Sequence, residues 1–293
     1  RLFLRGGRLP DRMVEPDQGE PSGTHRGGND RKRFGKRVRL PENYGREPVR
    51  TETDMKLLGI ESSSLVASVA VVTDGILTGE YTMNHKKTHS QTLLPMLDEL
   101  GKLLDLDLST IDAIAVSGGP GSFTGLRIGA ATAKGLGLAL KKPLIHVPTV
   151  DALAYNLWGT SALVCPIMDA RRNQVYTGIY RVKETLEAVM PQCAMDMGDL
   201  LKKLNALGEQ VIFLGDGVPV YEQAICSQAE IPVLFAPPHM NRQRAASVAA
   251  LGALYYKEGK IEDAASHAPD YLRKSQAERE REGKELLAGD HPL

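Results

Sequence analysis

From Met55 onward, the chain alternates between short apolar runs and segments with apolar residues every three or four positions. The short runs, rich in Val, Ile, Leu and Thr, predict strands, and the Asp74-Gly75 pair between two of them predicts a hairpin. The longer spacing predicts amphipathic helices. In the first half we predict strands at 56–61, 66–73 and 76–82, a helix at 90–104, a strand at 111–116, a helix at 124–140, a strand at 143–147 and a helix at 149–158.

The same order of elements recurs in the second half of the chain. Three antiparallel strands followed by strand-helix crossovers, written twice, predict a duplicated α/β fold. Its class is two ribonuclease H-like lobes of the actin, sugar kinase and Hsp70 (ASKHA) superfamily, here at 55–158 and 159–273. The second copy is predicted as strands 164–168, 174–181 and 188–195, helix 199–207, strand 210–214, helix 220–229, strand 232–235 and helix 243–257.

The two ends of the chain are predicted to lie outside this fold. Residues 1–54 carry frequent Gly and Pro and basic runs at 31–33 and 36–39. Two explanations stay open, a disordered or non-native extension and a basic arm that contacts nucleic acid, and we favour the extension. Residues 274–293 are charged and poor in apolar side chains, which predicts a loose tail.

Composition restricts the classes of partner. Among 293 residues, 36 are Lys or Arg and 36 are Asp or Glu, so no overall field holds the chain on RNA or a membrane. No apolar run approaches the roughly 18 residues that span a bilayer. The three cysteines are far apart and lack CxxC spacing, which is typical of reduced thiols in a cytoplasmic protein.

A glycine-rich segment at 116–127 joins a predicted strand to a predicted helix. Such a loop either holds an anion at the helix N-terminus or makes a tight structural connection, and both interpretations stay open. In the following helix, small residues recur every fourth position, although each interior Gly costs about 1 kcal/mol relative to Ala. The stripe therefore packs closely, either on its own sheet or against a helix of another subunit. Its members are Gly125, Gly129, Ala133 and Gly137.

Several motifs between Met55 and Arg273 together resemble the bacterial TsaB (YeaZ-like) family. That resemblance implies a non-catalytic subunit of the machinery that places a threonylcarbamoyl group on N6 of the adenosine beside the tRNA anticodon. It implies pairing with the catalytic subunit TsaD, work with the ATPase TsaE, contact with tRNA through the complex, and a cytoplasmic location; a homodimer stays open. The motifs are Leu58-Gly59-Ile60-Glu61-Ser62-Ser63, His89-Ser90 with Leu93-Leu94-Pro95, Gly119-Pro120-Gly121-Ser122-Phe123-Thr124-Gly125-Leu126-Arg127-Ile128-Gly129 and Pro269-Asp270-Tyr271-Leu272-Arg273.

The resemblance also directs attention to the helices at 90–104 and 124–140 as the partner-binding surface. On this basis a bulky residue at Gly129, as in Gly129→Leu, is expected to abolish pairing with TsaD and leave the monomer folded. The candidate contacts are Leu93, Leu97, Leu100, Gly125, Gly129 and Ala133.

One departure from the catalytic relatives decides the expected role. Those relatives carry a His-x-x-x-His metal pair on the helix after the fifth strand, and here Thr149 and Leu153 occupy the two places. We therefore expect no catalytic residue and no metal ligand. His146 is predicted within a strand, where a hydrogen-bonded core histidine is commoner than a ligand.

A nucleotide site between the lobes is the remaining candidate, by analogy with the wider superfamily. We expect it to bind ATP or ADP with magnesium weakly, with no cofactor required. The alternative function is an active ATPase or small-molecule kinase, which would need Asp169 for turnover. The candidate nucleotide-binding residues are Ser62, Ser63, Asp169, Gly215 and Gly217.

Overall fold

The computed structural model describes residues 55–85 and 87–273, so the predicted extension at 1–54 and tail at 274–293 lie outside the described residues. All the predicted strands and helices are present, with bounds shifted by a few residues. The elements are β1 Lys56–Glu61, β2 Ala67–Thr73, β3 Ile76–Met83, α1 His89–Leu103, β4 Ala113–Gly119, α2 Phe123–Leu140, β5 Leu144–Pro148, α3 Thr149–Tyr155, β6 Leu163–Asp169, β7 Gln174–Val182, β8 Leu186–Asp196, α4 Met197–Leu207, β9 Val211–Leu214, α5 Val218–Gln228, β10 Val233–Phe235 and α6 Ala245–Lys257.

The strands form two five-stranded sheets with the same topology. The first has the order β3-β2-β1-β4-β5, and the second has the matching order β8-β7-β6-β9-β10. In each sheet the first three strands are antiparallel, and the last two run parallel to the first. This repetition confirms the predicted class of two duplicated ribonuclease H-like lobes.

The first sheet is covered on both faces, which explains why β1 and β4 read as nearly continuous apolar runs. On one face α1 and α2 pack over Leu58, Ile114 and Val116. On the other face α6 packs over Leu57 and Ile145. In sequence, α6 falls in the predicted second lobe, but its packing partners are strands of the first sheet.

The second sheet is covered by α4 and α5 on one face, where Phe213 and Leu200 are fully buried. On its other face it meets α3 through Leu153, which packs near Tyr180 of β7. Because α3 also contacts β4 and β5, it lies between the two sheets and ties the lobes together. Across the described residues, no helix combines the length and apolar character needed to cross a membrane.

Candidate functional site

A cavity of about 680 Å³ opens between the two lobes, a size in the range that small-molecule sites occupy. Four segments supply its walls: the turn after β1, the loop between β4 and α2, the ends of β6 and β9, and the segment at 270–273. Its lining includes Ser63, Ser64, Pro120, Ser122, Phe123, Asp169, Arg171, Asp216, Asp270, Tyr271 and Arg273.

The turn after β1 is organised around a buried carboxyl group. Glu61 is 1% exposed, and its Oε1 accepts hydrogen bonds from the backbone N–H and the hydroxyl of Ser63, both at 2.6 Å. Burial raises the pKa of Glu61 to about 7, although the two hydrogen bonds from Ser63 oppose the shift. Both hydrogen-bond donors of Ser63 are therefore committed to Glu61, within the cavity wall.

Ser62 does not face the cavity, so its prediction as a nucleotide ligand is wrong. Its hydroxyl donates to the Gly125 carbonyl at 2.9 Å, and the residue is fully buried. Gly215 and Gly217 also do not line the cavity, because both pack against the carbonyl of Ile167. Of the five predicted residues, only Ser63 and Asp169 are in the cavity wall.

A second carboxylate on the same wall was missed by sequence reasoning. Asp216 follows β9, beside Asp169 at the end of the neighbouring strand β6. Burial raises the pKa of Asp216, while the charge of Arg242 lowers it. Oδ1 of Asp169 accepts the backbone N–H of Arg171 at 2.9 Å. Strand ends that carry carboxylates at the same sheet edge were the available signal.

The glycine-rich loop between β4 and α2 makes close backbone contacts. A side chain at Gly121 would overlap the Ser63 carbonyl, and one at Gly119 would overlap the Asp270 carbonyl. The Ser122 N–H donates to that same Ser63 carbonyl at 2.6 Å. These contacts explain why glycine occupies both positions. They favour the tight structural connection, one of the two interpretations that the sequence left open.

The segment at 270–273 crosses from the first lobe to the second. The Asp270 N–H donates to the Gly118 carbonyl at 2.7 Å, whereas the Arg273 guanidinium donates to the Ala170 carbonyl at 2.5 Å. Between them, Tyr271 accepts a hydrogen bond from Arg127 Nε at 3.2 Å. The Pro-Asp-Tyr-Leu-Arg motif thus holds the cavity closed on one side, a role that the motif alone did not indicate.

The six side chains predicted to contact a partner are buried within this chain, so that prediction is wrong in its residues. Leu93, Leu97 and Leu100 pack in the core between α1 and the first sheet. A side chain at Gly125 would overlap the Ser62 carbonyl, and one at Gly129 would overlap the Ser62 hydroxyl. Ala133 is likewise fully buried in that core. The stripe packs α2 onto its own sheet, as the other sequence interpretation held.

The opposite sides of the same two helices form a surface that we name the α1–α2 face. It comprises Leu94 of α1 and Ala131, Gly135 and Leu138 of α2, all exposed. The exposed fractions of Leu94 and Leu138 are 53% and 56%. No atom lies within 4 Å of the place where a Gly135 side chain would stand. The backbone of α2 is therefore open to close approach at this point.

The two positions that carry histidines in the catalytic relatives are packed tightly here. The Thr149 hydroxyl accepts the Gly119 N–H at 3.1 Å, and Leu153 lies in the apolar cluster between α3 and the second sheet. Neither residue offers an imidazole. Between them, Asp151 accepts a hydrogen bond from the Tyr180 hydroxyl at 2.7 Å, which commits the carboxylate of this turn to a structural contact.

Comparison with known proteins agrees with this architecture. A family model described as "TsaD: tRNA N6-adenosine threonylcarbamoyltransferase" matches residues 79–281. The tRNA threonylcarbamoyladenosine biosynthesis protein TsaB of Bacillus subtilis is 33% identical over 225 residues, 76% of this chain and 96% of the relative. TsaB of Escherichia coli is 27% identical over 241 residues, 79% of this chain and 100% of the relative. The structure of YeaZ from Pseudomonas aeruginosa gives a TM-score of 0.65 at 26% identity, covering 74% of this chain and 100% of that chain.

The duplicated sheets and the cavity between them define a two-lobed protein of the ASKHA class, built on the plan that the TsaD model describes. Identity to the Bacillus relative extends over nearly the whole of that protein. The chain belongs to the TsaB (YeaZ-like) family, which confirms the resemblance found in its sequence.

Proposed function

We propose that this chain is a non-catalytic partner subunit in the transfer of the threonylcarbamoyl group to N6 of the adenosine next to the tRNA anticodon. It binds a TsaD-type catalytic subunit, supports a TsaE-type ATPase, and reaches tRNA through the complex, in the cytoplasm. The names of its relatives support the pathway. The observation that carries the binding role is the α1–α2 face.

The α1–α2 face has the chemistry of a helix-packing surface. Leu138 lies on the same side of α2 as Ala131 and Gly135, and Leu94 lines the groove between the two helices, so a partner helix meets exposed apolar side chains and, at Gly135, bare backbone. Exposed apolar surface is a feature of interaction sites in proteins. A shallow groove of about 520 Å³ continues the surface between the helices, and Leu94 and Leu136 line it.

The geometry of the inter-lobe cavity supports the non-catalytic assignment. Thr149 and Leu153 stand where the catalytic relatives bind metal, and both are buried by neighbouring elements. Oε1 of Glu61 is held by Ser63 from its own turn, while Oε2 is buried without a hydrogen-bond partner among the described residues. The non-catalytic assignment therefore rests on the missing imidazole pair, which leaves the transfer chemistry to the partner.

The test of the binding role is Gly135→Leu in a co-purification with the TsaD-type subunit. Adding bulk at Gly135 blocks close helix approach, and the new Cβ has no atom of the described residues within 4 Å, so we expect the monomer to fold and the complex to be lost. Ala206→Leu is the matched control, because it adds a similar side chain to an exposed position of α4 on the other sheet. Co-elution of Gly135→Leu at the wild-type level would contradict the proposal.

Reconstitution then tests the function itself. Purified TsaD-type and TsaE-type subunits, the threonylcarbamoyl adenylate donor and tRNA are mixed with this chain, and each component is omitted in turn. We expect modified adenosine only when this chain is present, and a parallel loss with Gly135→Leu. Size-exclusion chromatography of the chain alone shows whether the same face forms a homodimer in the absence of its partner.

The cavity supports weak nucleotide binding as a secondary property. Asp169 and Asp216 offer oxygen donors of the type that magnesium prefers, and Arg171 and Arg273 lie on the same wall. The hydroxyls of Ser62 and Ser63 are both engaged within the chain, so they are not free for phosphate. Calorimetry with ADP and magnesium, on wild type and Asp169→Ala, measures this. Tight ATP binding with turnover that Asp169→Ala abolishes would favour the alternative of an active kinase or ATPase.

A further inference from the structure

Two imidazoles and one carboxylate converge outside the inter-lobe cavity, where the segment after α6 crosses the first sheet. His146 lies on β5, and Glu262 and His267 lie in the crossing segment. One ring nitrogen from each histidine and one oxygen of Glu262 lie within 4.8 Å of one another. Three donor groups from two distant parts of the chain are thus brought to one point.

Backbone contacts fix the positions of these groups. Glu262 pairs with Leu144 of β5 through two hydrogen bonds, of 2.9 and 3.0 Å, so it is anchored two residues before His146. The Lys134 ammonium donates to the carbonyls of Ala265 and His267, at 2.8 and 3.0 Å. The cluster is therefore held by the fold and does not depend on the mutual contacts of its side chains.

A missing side chain on the neighbouring strand makes room for the His146 ring. Gly118 of β4 lies beside His146, and a Cβ at that position would overlap the imidazole. The Asp270 N–H binds the Gly118 carbonyl, so this glycine also brings Asp270 close to the cluster. Oδ2 of Asp270 lies 3.3 Å from Nε2 of His146, which adds a fourth polar group near the three donors.

The histidine nitrogens are only partly satisfied. His267 has a fully buried side chain, and its Nδ1 lies 2.5 Å from Oε1 of Glu262. Among the described residues, Nε2 of His267 is buried without a hydrogen-bond partner, and Nε2 of His146 is buried with Asp270 Oδ2 at 3.3 Å but in an orientation that makes no hydrogen bond. Buried polar atoms without partners are uncommon in proteins, and a bound ion is one explanation for them.

We propose that His146, Glu262 and His267 form a binding site for a divalent first-row transition metal, with zinc as the best match. Two imidazoles and a carboxylate are a donor set that zinc uses in proteins, whereas magnesium and calcium prefer oxygen alone. Ligands around tetrahedral zinc stand roughly 3.3 Å apart, so the donors, which lie within 4.8 Å of one another, must adjust their spacing slightly. Glu262 is about one-third exposed and has room to do so.

Metal binding here has a structural consequence. The ion joins the segment at 262–267 to β5, and Asp270–Arg273 of the cavity wall follow directly. A groove of about 360 Å³, lined by His146 and Glu262, provides the route of entry. The site differs in place from the helix positions Thr149 and Leu153, which correspond to the metal pair of the catalytic relatives.

The test uses the full chain, stripped with a chelator and titrated with cobalt(II) and then zinc. We expect a visible absorption band of tetrahedral cobalt that zinc displaces at one equivalent. His146→Gln and His267→Gln should each weaken zinc binding by at least about tenfold. His239→Gln is the control, because His239 is exposed in the loop after β10. Far-UV circular dichroism confirms that each variant is folded.

The variants separate a built site from adventitious binding. His25 and His291 lie outside the described residues and are retained in every protein tested, so any binding by them persists in all variants. Absence of the cobalt band in wild type would overturn the proposal, as would equal zinc affinity in His146→Gln and His239→Gln. The His146 side chain is partly exposed, so His146→Gln is expected to fold and remains informative even if His267→Gln does not fold. The readout is metal binding, which is independent of the proposed partner.

Discussion

Two glycines of the same helix, Gly129 and Gly135, should respond in opposite ways to alanine. Gly135 is exposed with no neighbour within 4 Å, so Gly135→Ala gains the full helix propensity of about 1 kcal/mol in the free energy of unfolding. Gly129→Ala has the same gain, but its Cβ overlaps the Ser62 hydroxyl. Overpacking of a core costs about 1–3 kcal/mol. Displacing that hydroxyl also breaks its bond to Gly125, which contributes about 1 kcal/mol.

The net expectation for Gly129→Ala is a loss of about 1–3 kcal/mol, against a gain of about 1 kcal/mol for Gly135→Ala. Urea denaturation of the two variants and wild type measures the difference, with the slope m as a check that the unfolded state is unchanged. If Gly129→Ala is stabilised as much as Gly135→Ala, Ser62 moves without cost and the packing argument is refuted. By the same reasoning, Gly129→Leu is expected to destabilise the monomer, which replaces the sequence-based expectation that it leaves the monomer folded.

Three further predictions concern Glu61, Tyr180 and the segment at 270–273. The pKa of Glu61 is raised from 4.5 to about 7, so the charged form is disfavoured by folding and stability falls as pH rises through that window, by about 3 kcal/mol. Glu61→Gln should lack this decrease in urea titrations at roughly pH 5 and pH 8; equal pH dependence in both proteins would contradict it. Tyr180→Phe removes one of the two tyrosine hydroxyls that bond the part-buried Asp151, the other being Tyr255, and should cost about 1 kcal/mol in thermal or urea unfolding; an unchanged stability would show that the Tyr180 bond contributes nothing. Tyr271→Ala removes the contact with Arg127 and should cost about 1 kcal/mol, whereas Tyr271→Phe keeps the ring and should cost less; an equal loss in both would assign the effect to the hydrogen bond alone.

The hydrophobic pattern predicted the elements and their order because each strand or helix buries one face or two. The same pattern could not say what covers an apolar stripe. Leu93, Leu97 and Leu100 have the spacing of a buried helix face, and a partner helix and the chain's own sheet would produce the same spacing. The sheet covers them, so their spacing reflects packing within this chain.

Tertiary contacts between distant residues explain the other failures. Ser62 and Ser63 are adjacent, but the hydroxyl of Ser62 points to α2 and that of Ser63 points to Glu61, so only one contributes to the cavity wall. His146 reads as an ordinary strand residue until the segment that contains His267 crosses it. The periodicity of a single element carries no information on contacts between residues that are distant in sequence.

The return of α6 to the first sheet has a consequence for how the chain matures. Leu57 and Ile145 are synthesised well before α6, the helix that covers them, which begins at Ala245. During translation this apolar surface remains uncovered until α6 has left the ribosome. Neither half of the duplication is then an autonomous unit, and a fragment ending near residue 158 should aggregate where the longer chain folds.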